Sequence, residues 1–167
     1  MPIKRRPPLP LSHPLTLIAT WFGAGLLPKV PGTWGSLAAL PFGAALAWWG
    51  GPLALAVAAL AVLIAGAIAT ERMIALGGAE DPGYVVADEV GGQWLTLMPL
   101  PLDPVAYLVA FVLFRALDIL KPWPVGWIDR KVKGGFGAMA DDAVAGLIGA
   151  AILYLLLAWV PRLSWLT

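Results

Sequence analysis

Ionisable side chains crowd one stretch of an otherwise apolar chain: Arg115, Asp118, Lys121, Asp129 and Arg130, then Gly134-Gly135-Phe136-Gly137 and the pair Asp141-Asp142. Four carboxylates and several cations lie here between two strongly apolar segments. Ionisable groups persist at a membrane boundary when they are paired, hydrated or put to use. Carboxylates are hard oxygen donors suited to a divalent cation, and the neighbouring cations suit an anion. The stretch therefore reads as a site for a divalent metal and a phosphorylated lipid head group.

A second acidic pair, Asp88-Glu89, stands before Val90-Gly91-Gly92-Gln93-Trp94. Alone, such a pair fits metal ligation and also fits a first-turn complement to the helix dipole. Two pairs on one membrane face shift the balance, because capping needs one residue and four carboxylates suggest hard-cation chemistry. Arg115, Asp118 and Lys121 are three apart and share one side of a helix, as a salt-bridged cluster or as part of the site. The Gly- and Pro-rich segment from Gly23 to Ser36 leads into a helix, and its backbone N–H groups could converge on phosphate around Thr33, Gly35 and Ser36. It also reads as an ordinary turn capped by Thr33 or Ser36. Gly134-Gly135-Phe136-Gly137 reads as a flexible loop beside the site, and Lys131 and Lys133 before it are expected to attract an acidic lipid surface. The lone His13 sits in a proline-rich tail far from the acids and reads as incidental.

Several chemistries are excluded. The chain has no cysteine and one histidine, so thiol phosphatases and mechanisms needing two histidines are out. No Asp-x-Asp-x-Thr motif is present. If phosphate is cleaved here, a carboxylate-held metal must activate water, or an Asp must attack directly. A net charge of +1 and the lack of a basic stripe interleaved with aromatics give no reason to expect nucleic acid binding.

The elements that must position these residues are membrane helices. Of 167 residues, 60% are hydrophobic and 13% charged, where a soluble domain would be nearer a quarter charged. The nine tryptophans suit anchoring at bilayer interfaces. Residues 53–70 and 143–160 are uncharged and long enough to span, and 36–50 form a shorter helix with Pro41 kinking it early. The run 90–117 is interrupted by Pro99, Pro101 and Pro104, which predicts a hairpin: a helix from 88 to 98, a turn at 99–104 and a return helix from 105 to 120. The first arm is shorter than a bilayer and must lean on its neighbours. With the N-terminus inside, ten of the eleven Lys/Arg residues fall on the cytoplasmic side, leaving Arg162 outside, and nine of the ten acids join them, leaving Asp103. The expected fold is an all-α integral membrane protein, a compact bundle of four to five membrane helices. It includes the Pro-broken hairpin over 88–120 and a Gly/Pro-rich loop on the cytoplasmic side. Residues 1–14 form a proline-rich basic cytoplasmic tail, and 15–167 a single membrane-embedded domain.

Three motifs, in order and ungapped, resemble a known family. They are Val30-Pro31-Gly32-Thr33-Trp34-Gly35-Ser36, then Asp88-Glu89-x-x-Gly92-x-Trp94, and Phe114-Arg115-x-Leu117-Asp118-x-x-Lys121-Pro-Trp-Pro continuing through Asp129 to Asp141-Asp142. Over residues 15–160 the chain resembles the bacterial phosphatidylglycerophosphatase A family. The resemblance implies a magnesium-dependent lipid phosphatase of the bacterial inner membrane, multi-pass, with its active site facing the cytoplasm. Its substrate would be phosphatidylglycerophosphate, cleaved to phosphatidylglycerol and phosphate among membrane lipids. The resemblance points to Asp88, Glu89, Asp118, Lys121, Asp129, Asp141 and Asp142, with Thr33 and Ser36 in the loop. The roles that follow are our own inference, with Asp88, Glu89, Asp141 and Asp142 expected to hold one or two Mg²⁺. Lys121 and Arg115 would neutralise phosphoryl charge, Asp118 or Asp129 would be the base, and Thr33, Gly35 and Ser36 would bind phosphate. Rival readings are a Mg²⁺-dependent phosphatidyltransferase and, from other classes, a small cation-binding or transport protein or a structural lipid-binding protein. Gly146, Gly149 and Ala150 could pack helices within one chain or in a homo-oligomer.

Overall fold

The computed structural model describes residues 7–77 and 82–159. The basic cluster Lys4-Arg5-Arg6, the acids Glu80 and Asp81, and Arg162 lie outside the described residues. The described chain is helical, with no strand: α1 (Pro14–Ala19), a 3-10 turn at Ala24–Leu26, α2 (Pro31–Ala75), α3 (Ala87–Leu97), α4 (Pro104–Leu120), α5 (Val125–Lys131) and α6 (Gly134–Trp159). By length and composition, α2 and α6 are long and apolar enough to cross a membrane.

Prolines set several of these boundaries. Pro31 and Pro104 each open a helix, where a preset φ helps and a missing N–H costs nothing. Asp103 caps α4 by accepting a hydrogen bond from Ala106 N at 2.8 Å. The expected break at 99–104 is thus present. Helix α2 starts at Pro31 rather than residue 36, and it keeps helical angles through Pro41. It departs from them at Gly51 (φ 61, ψ −153), a left-handed position open to glycine.

Contacts with α3 give the direction of each element. A Cβ on Gly35 would meet Val86, and one on Gly43 would meet Leu97, so the first arm of α2 runs alongside α3 in the same sense. Gly66 faces Ala87 and Leu63 faces Gly91, so the second arm runs the other way. The chain therefore doubles back at Gly51. By the same test α6 runs with α3 (Gly146 against Gly92, Gly149 against Thr96), and α4 runs against it. At about 17 Å, α3 is short, and most of it is buried among its neighbours, from Ala87 to Leu97.

This arrangement gathers the start of α2, the end of its second arm, the start of α3, the end of α4 and the start of α6 at one end of the bundle. The opposite end holds the Gly51 turn with exposed Trp48 and Trp49. Glycine replaces flexibility with proximity in α6. Gly134, Gly135 and Gly137, expected as a flexible loop, are its opening residues, and a Cβ on Gly135 or Gly137 would collide with the backbone carbonyls of Ala67 or Val132. Gly146 is pressed against the Gly92 carbonyl, so the Gly146/Gly149 face serves packing within the chain.

Candidate active site

A cavity of about 280 Å³ opens at the charged end, lined by six carboxylates (Asp88, Glu89, Asp118, Asp129, Asp141 and Asp142), by Lys121 and Lys133, and by Pro31 and Gly32. Each helix delivers its share through local geometry. Asp88 and Glu89 occupy the first turn of α3, and Asp88 Oδ1 accepts from Glu89 N at 3.0 Å. The segment leading into α3 is fixed from outside: Val86 N donates to Ala19 O at 2.7 Å, and Gly25 lies directly against the Tyr84 backbone. At the start of α6, Glu71 accepts from Gly135 N at 2.5 Å and ties that helix to the end of α2.

Carboxylate oxygens of Asp88, Glu89 and Asp142 lie within 4.8 Å of one another. Like charges so close in a buried setting repel strongly, so this group is built to receive positive charge. Arg115 supplies part of it from α4: its Nη1 is 2.5 Å from Asp118 Oδ2 and 3.7 Å from Glu89 Oε1. Gly32 sits against both partners, because a Cβ there would collide with the Glu89 carboxylate and come within 3.1 Å of Arg115 Nη1.

The second charge cluster centres on Lys121. It ends α4 in a left-handed conformation (φ 45), so its side chain leaves the helical line shared by Arg115 and Asp118. Its Nζ donates to Asp129 Oδ1 at 2.5 Å and to Asp141 Oδ2 at 2.8 Å. Burial by itself would lower the lysine pKa. The hydrogen bonds to Asp129 and Asp141 outweigh that and hold the pKa above its ordinary value.

All seven charged residues expected to act on metal or phosphate and lining this cavity are thus brought together, with Arg115 beside them. They divide differently from the expectation. Asp141 is engaged by Lys121 and is not in the three-carboxylate group. Thr33, Gly35 and Ser36 are not part of the cavity lining: they lie in the opening turns of α2, Gly35 against Val86, and Ser36 fully buried. Pro31 and Gly32 take the place at the cavity expected of them. Sequence reading missed Gly32, Glu71 and the short helix α5 that carries Asp129. The run Val30-Pro31-Gly32 held a signal for the first, since Pro opening a helix sets Gly32 one residue inside it. His13, read as incidental, caps α1 by accepting from Leu15 N at 3.2 Å.

Residues 17–157 match the family model described as Phosphatidylglycerophosphatase A. The chain belongs to the phosphatidylglycerophosphatase A family. An Escherichia coli (strain K12) protein named Phosphatidylglycerophosphatase A is 46% identical over 147 residues, covering 87% of this chain and 85% of its own length. A Haemophilus influenzae protein of the same name is 37% identical over 95% of this chain and 96% of its own. A Bacteroides thetaiotaomicron relative, provisionally named a phosphatidylinositol-3-phosphatase, is 40% identical over 86% of this chain and 93% of its own. No solved structure matches significantly. The motifs that suggested the phosphatidylglycerophosphatase A family in the sequence are the ones that meet at this cavity.

Proposed function

We propose that this chain hydrolyses the terminal phosphomonoester of phosphatidylglycerophosphate, releasing phosphatidylglycerol and phosphate, with Mg²⁺ as cofactor. The observation that carries this reading is the three-carboxylate group of Asp88, Glu89 and Asp142 beside three cation-paired acids, Asp118, Asp129 and Asp141, in one cavity. Three hard oxygen donors this close fit a divalent cation. Bound there, Mg²⁺ would supply Lewis-acid polarisation of phosphate and a more acidic water. The chain's own residues then divide the remaining work. Lys121 and Arg115 place positive charge beside the phosphoryl oxygens, and this electrostatic positioning is the main protein contribution to phosphoryl transfer. Asp118, held through Oδ2 by Arg115, is the base that takes a proton from the attacking water. Asp129 and Asp141 keep Lys121 charged and aimed.

In this reading both arms of α2, together with α3, α4 and α6, make five membrane segments of a multi-pass inner-membrane protein whose cavity faces the cytoplasm. Support comes from the charge bias toward the cavity end. Exposed tryptophans mark both ends as well: Trp48 and Trp49 at the turn, Trp123 and Trp127 near the cavity. A transporter would carry charged groups in mid-span, whereas residues 31–70 and 143–159 contain no Asp, Glu, Lys, Arg or His. A phosphatidyltransferase would need a site for a second, activated substrate.

The relatives are named for two different phosphorylated lipids, so substrate choice is the direct test. The detergent-purified chain with Mg²⁺ should release phosphate from phosphatidylglycerophosphate faster than from phosphatidylinositol 3-phosphate at equal concentration. Faster release from the inositol lipid would overturn the assignment.

A further inference from the structure

Among the cations at the cavity, Lys133 stands apart. Lys121 is held between Asp129 and Asp141, and Arg115 is engaged by Asp118 and Glu89. Lys133 also lines the cavity, but among the described residues its Nζ bonds to a backbone oxygen, Asp129 O at 3.1 Å, and to no carboxylate. An ammonium has three donors, so two remain for a ligand. The side chain is exposed, on the short link between α5 and α6, and Val132, Gly134 and Gly137 around it also line the cavity. Phe136, three residues on, is 69% exposed, which puts an apolar surface on the same stretch of chain.

The proposed substrate carries two phosphates, and this inference rests on that reading. The monoester belongs at the three-carboxylate group. The second phosphate, a diester joining the head group to the lipid, must then lie elsewhere in a cavity lined by six acids. Against those acids alone it would be repelled. We propose that Lys133 binds this phosphodiester and so sets a preference for lipids bearing a diester beside the monoester that is cleaved. The head group then spans from the carboxylates to Lys133, and the acyl chains leave on the Phe136 side. Lys133 is a specificity residue here, and more than a general attractor of acidic lipid.

Full-length wild-type, Lys133→Ala and Lys133→Arg proteins would be compared in detergent on phosphatidylglycerophosphate, with inorganic phosphate as a competitive inhibitor. Inorganic phosphate mimics the monoester end alone. In Lys133→Ala the KM should rise about tenfold, the worth of one charge-assisted hydrogen bond, with the loss falling on KM rather than kcat. The inhibition constant for phosphate should stay at the wild-type value, and Lys133→Arg should recover most of the affinity. An unchanged KM, or a phosphate inhibition constant that weakens in step with KM, would overturn the proposal. Wild-type protein that releases no phosphate at all would instead remove the phosphatase reading, and this inference with it.

Discussion

Asp142→Asn should lower kcat for phosphate release by at least about 100-fold. Residues that merely support a metal ligand are worth roughly 10- to 100-fold, and Asp142 belongs to the three-carboxylate group itself. The exchange keeps the side-chain volume and removes one negative charge, so its effect on folding has the opposite sign. In metal-free protein, three clustered carboxylates repel one another, and neutralising one relieves that repulsion. The variant should therefore unfold at a temperature no lower than metal-free wild type while losing activity. Paired thermal melts and phosphate-release kinetics check both halves. Near-wild-type kcat at saturating Mg²⁺ would remove Asp142 from the ligand set.

Lys121→Met should have the second-largest effect, a fall in kcat of about 100-fold, comparable to losing one preorganised donor to a developing oxyanion. Methionine approximates the aliphatic stem of lysine and deletes the ammonium that bridges Asp129 and Asp141. Those acids would then face the phosphate without compensation. Lys121→Arg should restore little, because a planar guanidinium cannot reproduce the two directions of a tetrahedral ammonium at 2.5 and 2.8 Å. Steady-state kinetics on the three proteins give the comparison. Full activity in Lys121→Met would confine the lysine to a structural role.

The sequence made some of this architecture readable for definite physical reasons. Three prolines between Pro99 and Pro104 cannot sit inside a helix, so the break between α3 and α4 was legible. Acids are costly in an apolar chain, so Asp88, Glu89, Asp118, Asp129, Asp141 and Asp142 announced a shared site. Their division was not legible. Successive residues on a helix point about 100° apart, given 3.6 residues per turn. That rotation separates Asp141 from Asp142, although Asp88 and Glu89 in the first turn of α3 still reach one group. Asp142 turns to α3, and Asp141 turns to Lys121. Reading them as one ligand pair overlooked that rotation. The Gly134–Gly137 run looked flexible because glycine is permissive. Close approach to Ala67 and Val132 instead demands the missing side chains. Thr33 and Ser36 looked like loop donors because the start of α2 was set five residues late. Inside the helix Ser36 is buried with its N–H in reach of the Gly32 carbonyl, while Thr33 keeps a first-turn N–H but lies off the cavity lining.

Metal dependence tests the central claim most directly. Protein stripped with EDTA and freed of chelator would be assayed for phosphate release from phosphatidylglycerophosphate before and after Mg²⁺ is restored. The three-carboxylate site predicts no release from the stripped protein and recovery on adding Mg²⁺. Undiminished release from metal-free protein would contradict it and leave the Asp88, Glu89 and Asp142 group without its proposed role.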